Sequence, residues 1–104
     1  MRNIFLRNAI LSVLTTHREL SIPQLYRRML RSHSIRNLYR DQALDCLDEL
    51  SKLGYVTKDM HEIYSPVFGM KVKEPYYKLT KSGYDAQNGL LGRHRRDDLL
   101  APRN

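Results

Sequence analysis

Nucleophiles and metal ligands are few and scattered in this sequence. Cys46 is the single cysteine, and the four histidines stand at positions 17, 33, 61 and 94. This spacing does not match the ligand spacing of zinc sites, so no metal site is predicted. The sequence also lacks a glycine-rich phosphate loop and a Ser or Cys nucleophile beside a base. It therefore predicts neither an enzyme nor a bound cofactor, and Cys46 is expected to be a small core residue.

The feature of this sequence that does indicate a function is its large positive charge. The formal net charge is +7, and it is divided unevenly: residues 1–40 carry +7, residues 41–62 carry −4 and residues 63–104 carry +4. Small basic domains often bind nucleic acid or anionic surfaces. A solvated surface without a partner is the alternative interpretation of such charge blocks.

Three helices are predicted to position these charges. Apolar residues recur at helical spacing over 3–16, and a second helix is predicted over 22–32. Ser21 is its expected N-cap, with Gln24 three residues later as in a capping box. The third helix is predicted over 41–53.

The ends of the third helix have their own signals. Asp41 is its expected N-cap, and Gly54 stands where a helix ends in the left-handed conformation.

The residue types change after Gly54 to β-branched and aromatic residues, which favour strands. A hairpin is predicted with strands near 55–64 and 76–79 and a long tip over 65–74. Tyr77 and Leu79 are expected to pack on the helices, because alternate side chains of a strand point to opposite faces. Tyr76 and Lys78 are expected to face away.

A short last helix is predicted after the hairpin. Thr80 is its expected N-cap, and the helix is expected to reach about Leu91 and to end at Gly92. The chain is long enough for one domain with a single core, so residues 1–91 are assigned to that domain. Residues 92–104 are expected to form a basic, flexible tail.

The order of these elements is that of an α+β, mainly α, winged helix-turn-helix domain, with three helices, a β-hairpin wing and a short C-terminal helix. Two segments, "ALDCLDELSKLGYV" (43–56) and "YYKLTKSG" (76–83), strengthen this prediction. The first contains a Leu-x-x-Leu-x-x-x-Gly pattern, and the second is a Tyr-Tyr-x-Leu-Thr-x-x-Gly segment. The sequence thereby resembles the PadR-like winged-helix regulators first and the MarR-like regulators second.

This resemblance implies a DNA-binding transcriptional regulator, most simply a repressor, with double-stranded DNA as its partner. Basic side chains of the second helix, the following turn and the wing are expected to neutralise phosphates, and the start of the third helix is expected to read base edges. The predicted DNA-binding residues are Gln24, Arg27, Arg28, Arg31, Arg36, Asn37, Arg40, Gln42, Lys71 and Lys73.

The third helix leaves a second hypothesis open, because its outer face is acidic. This face carries Asp41, Asp45, Asp48 and Glu49, and acids repel phosphate. The alternative function is a winged-helix protein-interaction module that docks a basic partner through this helix. The hairpin residues Val67 and Phe68 are expected to fold back on the core, with a minor-groove wedge or a protein contact as alternatives.

A homodimer is also expected, because helix-turn-helix regulators commonly pair on two-fold operators. The first helix has more apolar residues than one face can hold, and the predicted dimerisation residues are Ile4, Phe5, Leu6, Ile10 and Leu14. The sequence shows no apolar run long enough for a membrane span and no signal peptide, so a cytoplasmic location is expected. It does not indicate whether an inducer binds.

Overall fold

The computed structural model describes residues 4–33 and 39–100, and it describes side-chain environments for 4–32 and 39–90. The elements follow one another as α1 (Ile4–Val13), β1 (Leu20–Ser21), α2 (Ile22–His33), α3 (Arg40–Lys52), β2 (Val56–Ser65), β3 (Met70–Leu79) and α4 (Lys81–Leu100). The strands form an antiparallel sheet in the order β1-β3-β2. Three helices, a hairpin and a last helix confirm the predicted winged-helix order.

One hydrophobic core joins the helices to the base of the hairpin. Apolar stripes of α1, α2 and α3 meet there, and the helix-facing side of the hairpin closes it. Its largest fully buried side chains are Ile10, Leu20, Leu25, Met29, Leu47 and Leu50. Tyr77 and Leu79 are buried whereas Tyr76 and Lys78 are half-buried, as the alternation of β3 predicts.

The start of α2 is fixed by a capping box and by a short strand. The backbone N–H of Gln24 donates to Ser21 Oγ at 3.4 Å, and the N–H of Ser21 donates to Gln24 Oε1 at 2.9 Å. The predicted cap is confirmed. Directly before this cap, Leu20 is fully buried and pairs with Tyr77 as part of β1.

The end of α3 is a Schellman motif. Gly54 has a φ of +80°, which glycine adopts at little cost. The N–H of Gly54 donates to Ser51 O at 3.0 Å, and that of Tyr55 donates to Leu50 O at 2.9 Å. At the other end of the helix, the prediction for Asp41 is wrong. Tyr39 occupies the N-cap position, and its side chain makes no capping bond.

Thr80 and Gly83 join the wing to both neighbouring helices. Thr80 caps α4 as predicted, since its Oγ1 accepts the Gly83 N–H at 3.0 Å, and the same hydroxyl donates to Gly54 O at 2.6 Å. The Thr80 N–H donates to Tyr55 O at 3.0 Å. A Cβ at position 83 would lie 1.9 Å from that carbonyl oxygen, so the junction requires glycine there.

The wing is longer and its tip tighter than predicted. Ten residues of each strand pair, from Val56 with Leu79 to Ser65 with Met70, which leaves a four-residue turn over 66–69. Gly69 has a φ of +63° in this turn. The tip does not fold back on the core, because Val67 and Phe68 are 87% and 71% exposed. Pro75 is tolerated inside β3 because β1 pairs only with Tyr76 and Tyr77.

The last helix was predicted too short. It runs to Leu100 through Gly89 and Gly92, so the expected helix end at Gly92 is wrong and residues 92–100 are helical. The side chain of Gln87 in this helix is buried, and its Nε2 donates to Leu14 O at 2.8 Å and to Leu11 O at 2.9 Å. Gln87 thereby donates hydrogen bonds to carbonyl groups at the C-terminal end of α1. The last carbonyl groups of a helix have no N–H donor within the helix itself.

A helix that crosses a bilayer must be about twenty residues long and predominantly apolar. Within the ranges that the structure describes, no helix meets both requirements for crossing a membrane.

We expect Gly83→Ala to lower the free energy of unfolding by at least about 2 kcal/mol, because its methyl group would overlap the Tyr55 carbonyl and displace backbone. Gly89→Ala is the matched control in the same helix. A Cβ there meets nothing within 4 Å, so alanine should stabilise the protein by about 0.4–1 kcal/mol. Urea denaturation followed by circular dichroism at 222 nm measures both. Equal effects of the two substitutions would contradict the tight junction.

Candidate nucleic-acid interface

An arginine-lined cleft, the arginine cleft, opens between α2, the C-terminal end of α1 and Gln87 of α4. Its volume is about 630 Å³, and its lining consists of Ser12, Val13, Leu14, Arg18, Gln24, Arg27, Arg28, Arg31, Ser32 and Gln87. None of these described lining residues is acidic. Four guanidinium groups therefore surround one concave surface, which is the arrangement that binds phosphate or carboxylate groups.

The apolar stripe of α2 determines which side chains reach this cleft. Ile22, Leu25 and Met29 are buried at helical spacing and fix the helix on the core. Arg27 and Arg31 then lie on the exposed side, and Arg28 is half-buried at its edge. Gln24 lines the cleft too, although its Oε1 is already engaged in the capping box.

The start of α3 carries two further predicted residues. Arg40 and Gln42 are both exposed in the first turn of the helix. Arg40 Nη2 lies 4.0 Å from Glu74 Oε2 of β3, so this arginine is held loosely towards the wing. Neither Arg40 nor Gln42 lines the arginine cleft.

The outer face of α3 is acidic, as the sequence predicted, but its acids differ in surroundings. Asp41, Asp45 and Asp48 are exposed, and Asp48 forms an i,i+4 ion pair with Lys52 at 3.3 Å. Glu49 is half-buried, and its Oε1 accepts from Arg7 Nη1 of α1 at 2.8 Å. Glu49 therefore connects two helices, whereas the three aspartates face solvent.

The wing presents its two predicted lysines on one face. Lys71 and Lys73 are exposed and alternate along β3 with Val72, on the same side as Pro75 and Tyr77. They continue this face beyond the core, towards the exposed tip. Arg36 and Asn37, which were predicted to contact DNA, lie outside the described residues.

The structure thus brings together four of the predicted DNA-binding residues, and the four others that it describes lie elsewhere. Gln24, Arg27, Arg28 and Arg31 share the cleft with Arg18, which sequence reasoning did not single out. Arg18 lies in the connection before β1, where helical periodicity gives no signal. Arg40 with Gln42, and Lys71 with Lys73, form two further cationic or polar groups at the start of α3 and on the wing.

The predicted dimerisation residues divide between surface and core. Ile4 and Phe5 are exposed, at 55% and 70%, at the start of α1. Leu6, Ile10 and Leu14 are buried within the single chain, so they are not free to meet a partner. The excess of apolar residues in α1 is largely explained by its central position, because α2, α3 and α4 all pack on it.

Cys46 is buried on α3, as expected for a core residue. Burial raises the pKa of its thiol, and the neighbouring carboxylates Glu49 and Asp45 raise it further, while Arg7 lowers it. A buried thiol with a raised pKa holds little thiolate near neutral pH and is a poor nucleophile.

One histidine, His61, joins two carboxylates in the fold. His61 of β2 lies beside Glu19 and Asp59, and one ligand atom of each lies within 4.8 Å of the others. The sequence signal was the spacing of Asp59 and His61, two residues apart on a strand. Glu19, which completes the group, is distant in sequence and could be found only from the fold.

Comparisons with known proteins find a similar fold among solved structures. No family model matches the chain, and no curated protein matches it either. Among solved structures, Bacillus subtilis PadR in complex with operator DNA has a TM-score of 0.64 and 24% identity, over 84% of this chain and 47% of that chain. The chain therefore spans about half the length of that PadR chain.

Two further structures show the same likeness. The smu.1704 protein of Streptococcus mutans UA159 has a TM-score of 0.60 and 21% identity, over 86% of this chain and 74% of that one. TA0346 of Thermoplasma acidophilum, described as a candidate transcriptional regulator, has a TM-score of 0.61 and 18% identity, over the whole of both chains. The fold is that of a winged helix-turn-helix domain. This fold is similar to that of PadR, as the sequence resemblance predicted.

We expect Cys46 to react with Ellman's reagent at pH 8 at least about tenfold more slowly in the native protein than in denaturant, since burial blocks access and its raised pKa reduces the thiolate fraction. Absorbance at 412 nm follows the reaction. Because the pKa is raised, the native rate should still be increasing with pH where that of the unfolded chain has levelled off. Equal native and unfolded rates would show that the thiol is accessible and ionised.

Proposed function

We propose that this protein is a transcriptional regulator that binds double-stranded DNA, most simply as a repressor, and has no catalytic role. The observation that carries the proposal is the fold: a PadR-like winged helix for which one similar structure contains operator DNA. The net charge of +7 supports it, because cationic surfaces supply most of the affinity of a protein for duplex DNA. The role would be exercised in the cytoplasm.

The arginine cleft supplies phosphate contacts in this proposal. Arg27 and Arg31 are exposed at its rim, and Arg18 and Arg28 add charge beside them. Guanidinium groups bind phosphate oxygens in a bidentate manner, and such contacts fix the position of a protein on the duplex without reading sequence. The cleft would therefore contribute the same binding affinity to every DNA sequence.

The start of α3 supplies the base contacts. In helix-turn-helix proteins the N-terminal residues of the recognition helix meet base edges in the major groove. Arg40 has the donor geometry for guanine, and Gln42 has that for adenine. The exposed Asp45 and Asp48 further along α3 would repel phosphates, so we propose that only the first turn enters the groove.

The wing adds a second point of attachment. Lys71 and Lys73 lie on one face of β3 and would neutralise phosphates flanking the groove that α3 enters. The junction at Thr80 and Gly83 fixes the base of the wing against α3, so both elements would meet the duplex as one rigid unit.

Binding as a homodimer is part of the proposal. Two-fold operators need two recognition helices about one helical turn of DNA apart. The exposed Ile4 and Phe5 on α1 and the twenty-residue α4, which packs on α1, offer the surface for a second copy.

A protein-interaction module is the second candidate function. The observation that favours it is the row of exposed aspartates on α3, Asp41, Asp45 and Asp48, which would attract a basic partner. In that case α3 would be a docking surface, and the cationic groups elsewhere would contribute nothing to binding.

We expect Arg27→Ala and Arg40→Ala to weaken DNA binding in different ways. Loss of a phosphate contact at Arg27 should weaken binding to all sequences alike and reduce the slope of log K against log salt by about one unit. Loss of a base contact at Arg40 should cost about 1–3 kcal/mol at a selected site and little on random DNA. Fluorescence anisotropy across a salt series, with a site found by selection, measures both.

Two further variants serve as controls. Lys52→Ala removes one positive charge at the far end of α3 and should leave affinity nearly unchanged. Asp45→Asn should tighten binding, because it removes an exposed negative charge beside the groove. If Arg27→Ala and Arg40→Ala both bind like the unmodified protein, the DNA-binding proposal is wrong.

A further inference from the structure

Three potential metal ligands meet on the face of the sheet that points away from the core. Asp59 pairs with Tyr76 across the ladder, so the two side chains share the face opposite to the buried Tyr77. His61 follows two residues later on the same face. Glu19 comes directly before β1, on the other side of the central strand β3.

The donor atoms of these side chains converge on one point. His61 Nε2 lies 2.5 Å from Glu19 Oε2 and 3.6 Å from Asp59 Oδ2. The imidazole is held by an edge contact with Tyr76, with ring centroids 4.6 Å apart and planes at 87°. One of its nitrogens is thus directed at both carboxylates.

Within the described part of the chain, the two carboxylates lack the cationic partners expected of so basic a protein. Among the residues that the structure describes, no lysine or arginine forms an ion pair with Glu19 or Asp59, and their shared partner is His61. A neutral imidazole would leave two negative charges unbalanced at this place. A bound cation would balance them.

We propose that Glu19, Asp59 and His61 bind a divalent transition-metal ion, for which Zn²⁺ is the best match. Imidazole nitrogen together with carboxylate oxygen suits Zn²⁺, whereas Ca²⁺ and Mg²⁺ prefer oxygen ligands alone. Three protein ligands with water in the remaining position form a common zinc arrangement.

The spacing of the donors fits this ion after small side-chain rotations. Ligand atoms that are about 2.0–2.2 Å from a tetrahedral zinc lie roughly 3.4 Å from one another. The distance from His61 Nε2 to Asp59 Oδ2 is already 3.6 Å, and the carboxylate of Glu19 would move away from the ring by about 1 Å. All three side chains are at least one-third exposed, so the movement meets little resistance.

The bound ion would connect the segment before β1 with β2, two parts of the chain whose strands both pair with β3 but not with each other. Glu19 belongs to the segment that leads into α2, and His61 belongs to the wing. Metal binding would therefore restrain the wing relative to α2 and stabilise the sheet. This role does not depend on DNA binding and is tested without DNA.

The test is titration of the metal-free full chain with ZnCl₂ by isothermal calorimetry, together with ¹H–¹⁵N spectra of the histidine rings. We expect one saturable site, a change at the His61 ring nitrogen and an increase of the melting temperature with Zn²⁺. His61→Gln and Glu19→Gln should each weaken binding by at least about tenfold. Circular dichroism in EDTA checks that each variant is folded.

His17→Gln is the matched control, because His17 is an exposed histidine outside the cluster. It should bind Zn²⁺ like the unmodified chain and show the same increase of the melting temperature. The proposal is overturned if the folded His61→Gln and Glu19→Gln variants both keep full affinity. It is also overturned if the unmodified chain shows no saturable binding in the calorimeter.

Discussion

The contact of the Tyr55 carbonyl with the start of α4 is the constraint on which the rest of the structure depends. This oxygen accepts the Thr80 N–H at 3.0 Å and leaves no space for a Cβ at Gly83. The Thr80 hydroxyl also binds the Gly54 carbonyl, so the end of α3, the end of the wing and the start of α4 meet at one point. A helix and a wing that are fixed in this way present a single rigid surface to a ligand as large as a DNA duplex.

A second group of hydrogen bonds holds α4 and the wing on α1. Gln87 of α4 binds the terminal carbonyls of α1, and the Leu79 N–H of the wing donates to Thr15 O at 3.0 Å just beyond that helix. The same end of α1 forms one wall of the arginine cleft. These hydrogen bonds fix α4 and the wing on the same helix that borders the arginine cleft, so both sides of the proposed DNA-binding surface share one core.

Local signals in the sequence predicted the features that depend on neighbouring residues. The capping box at Ser21, the left-handed Gly54 and the cap at Thr80 need only a few residues and are confirmed. Features that depend on distant partners were missed or wrong. Leu20 becomes a strand residue because β3 is beside it, and α4 continues through Gly89 although an isolated helix would lose about 1 kcal/mol there. Prediction of the candidate site was limited in the same way. The sequence indicated the arginines of α2 but not the cleft that they share with Arg18.

The most direct test of DNA binding through these surfaces is an NMR titration of ¹⁵N-labelled protein with duplex DNA at low salt. Binding as proposed should change the chemical shifts of the backbone amides of Arg40, Gln42, Lys71 and Lys73. It should also change those of the arginine Nε–H groups in the arginine cleft. The amides near Asp48 should change little, because that end of α3 would remain outside the groove. Perturbation confined to the acidic face of α3, or no change at any DNA concentration, would contradict the account.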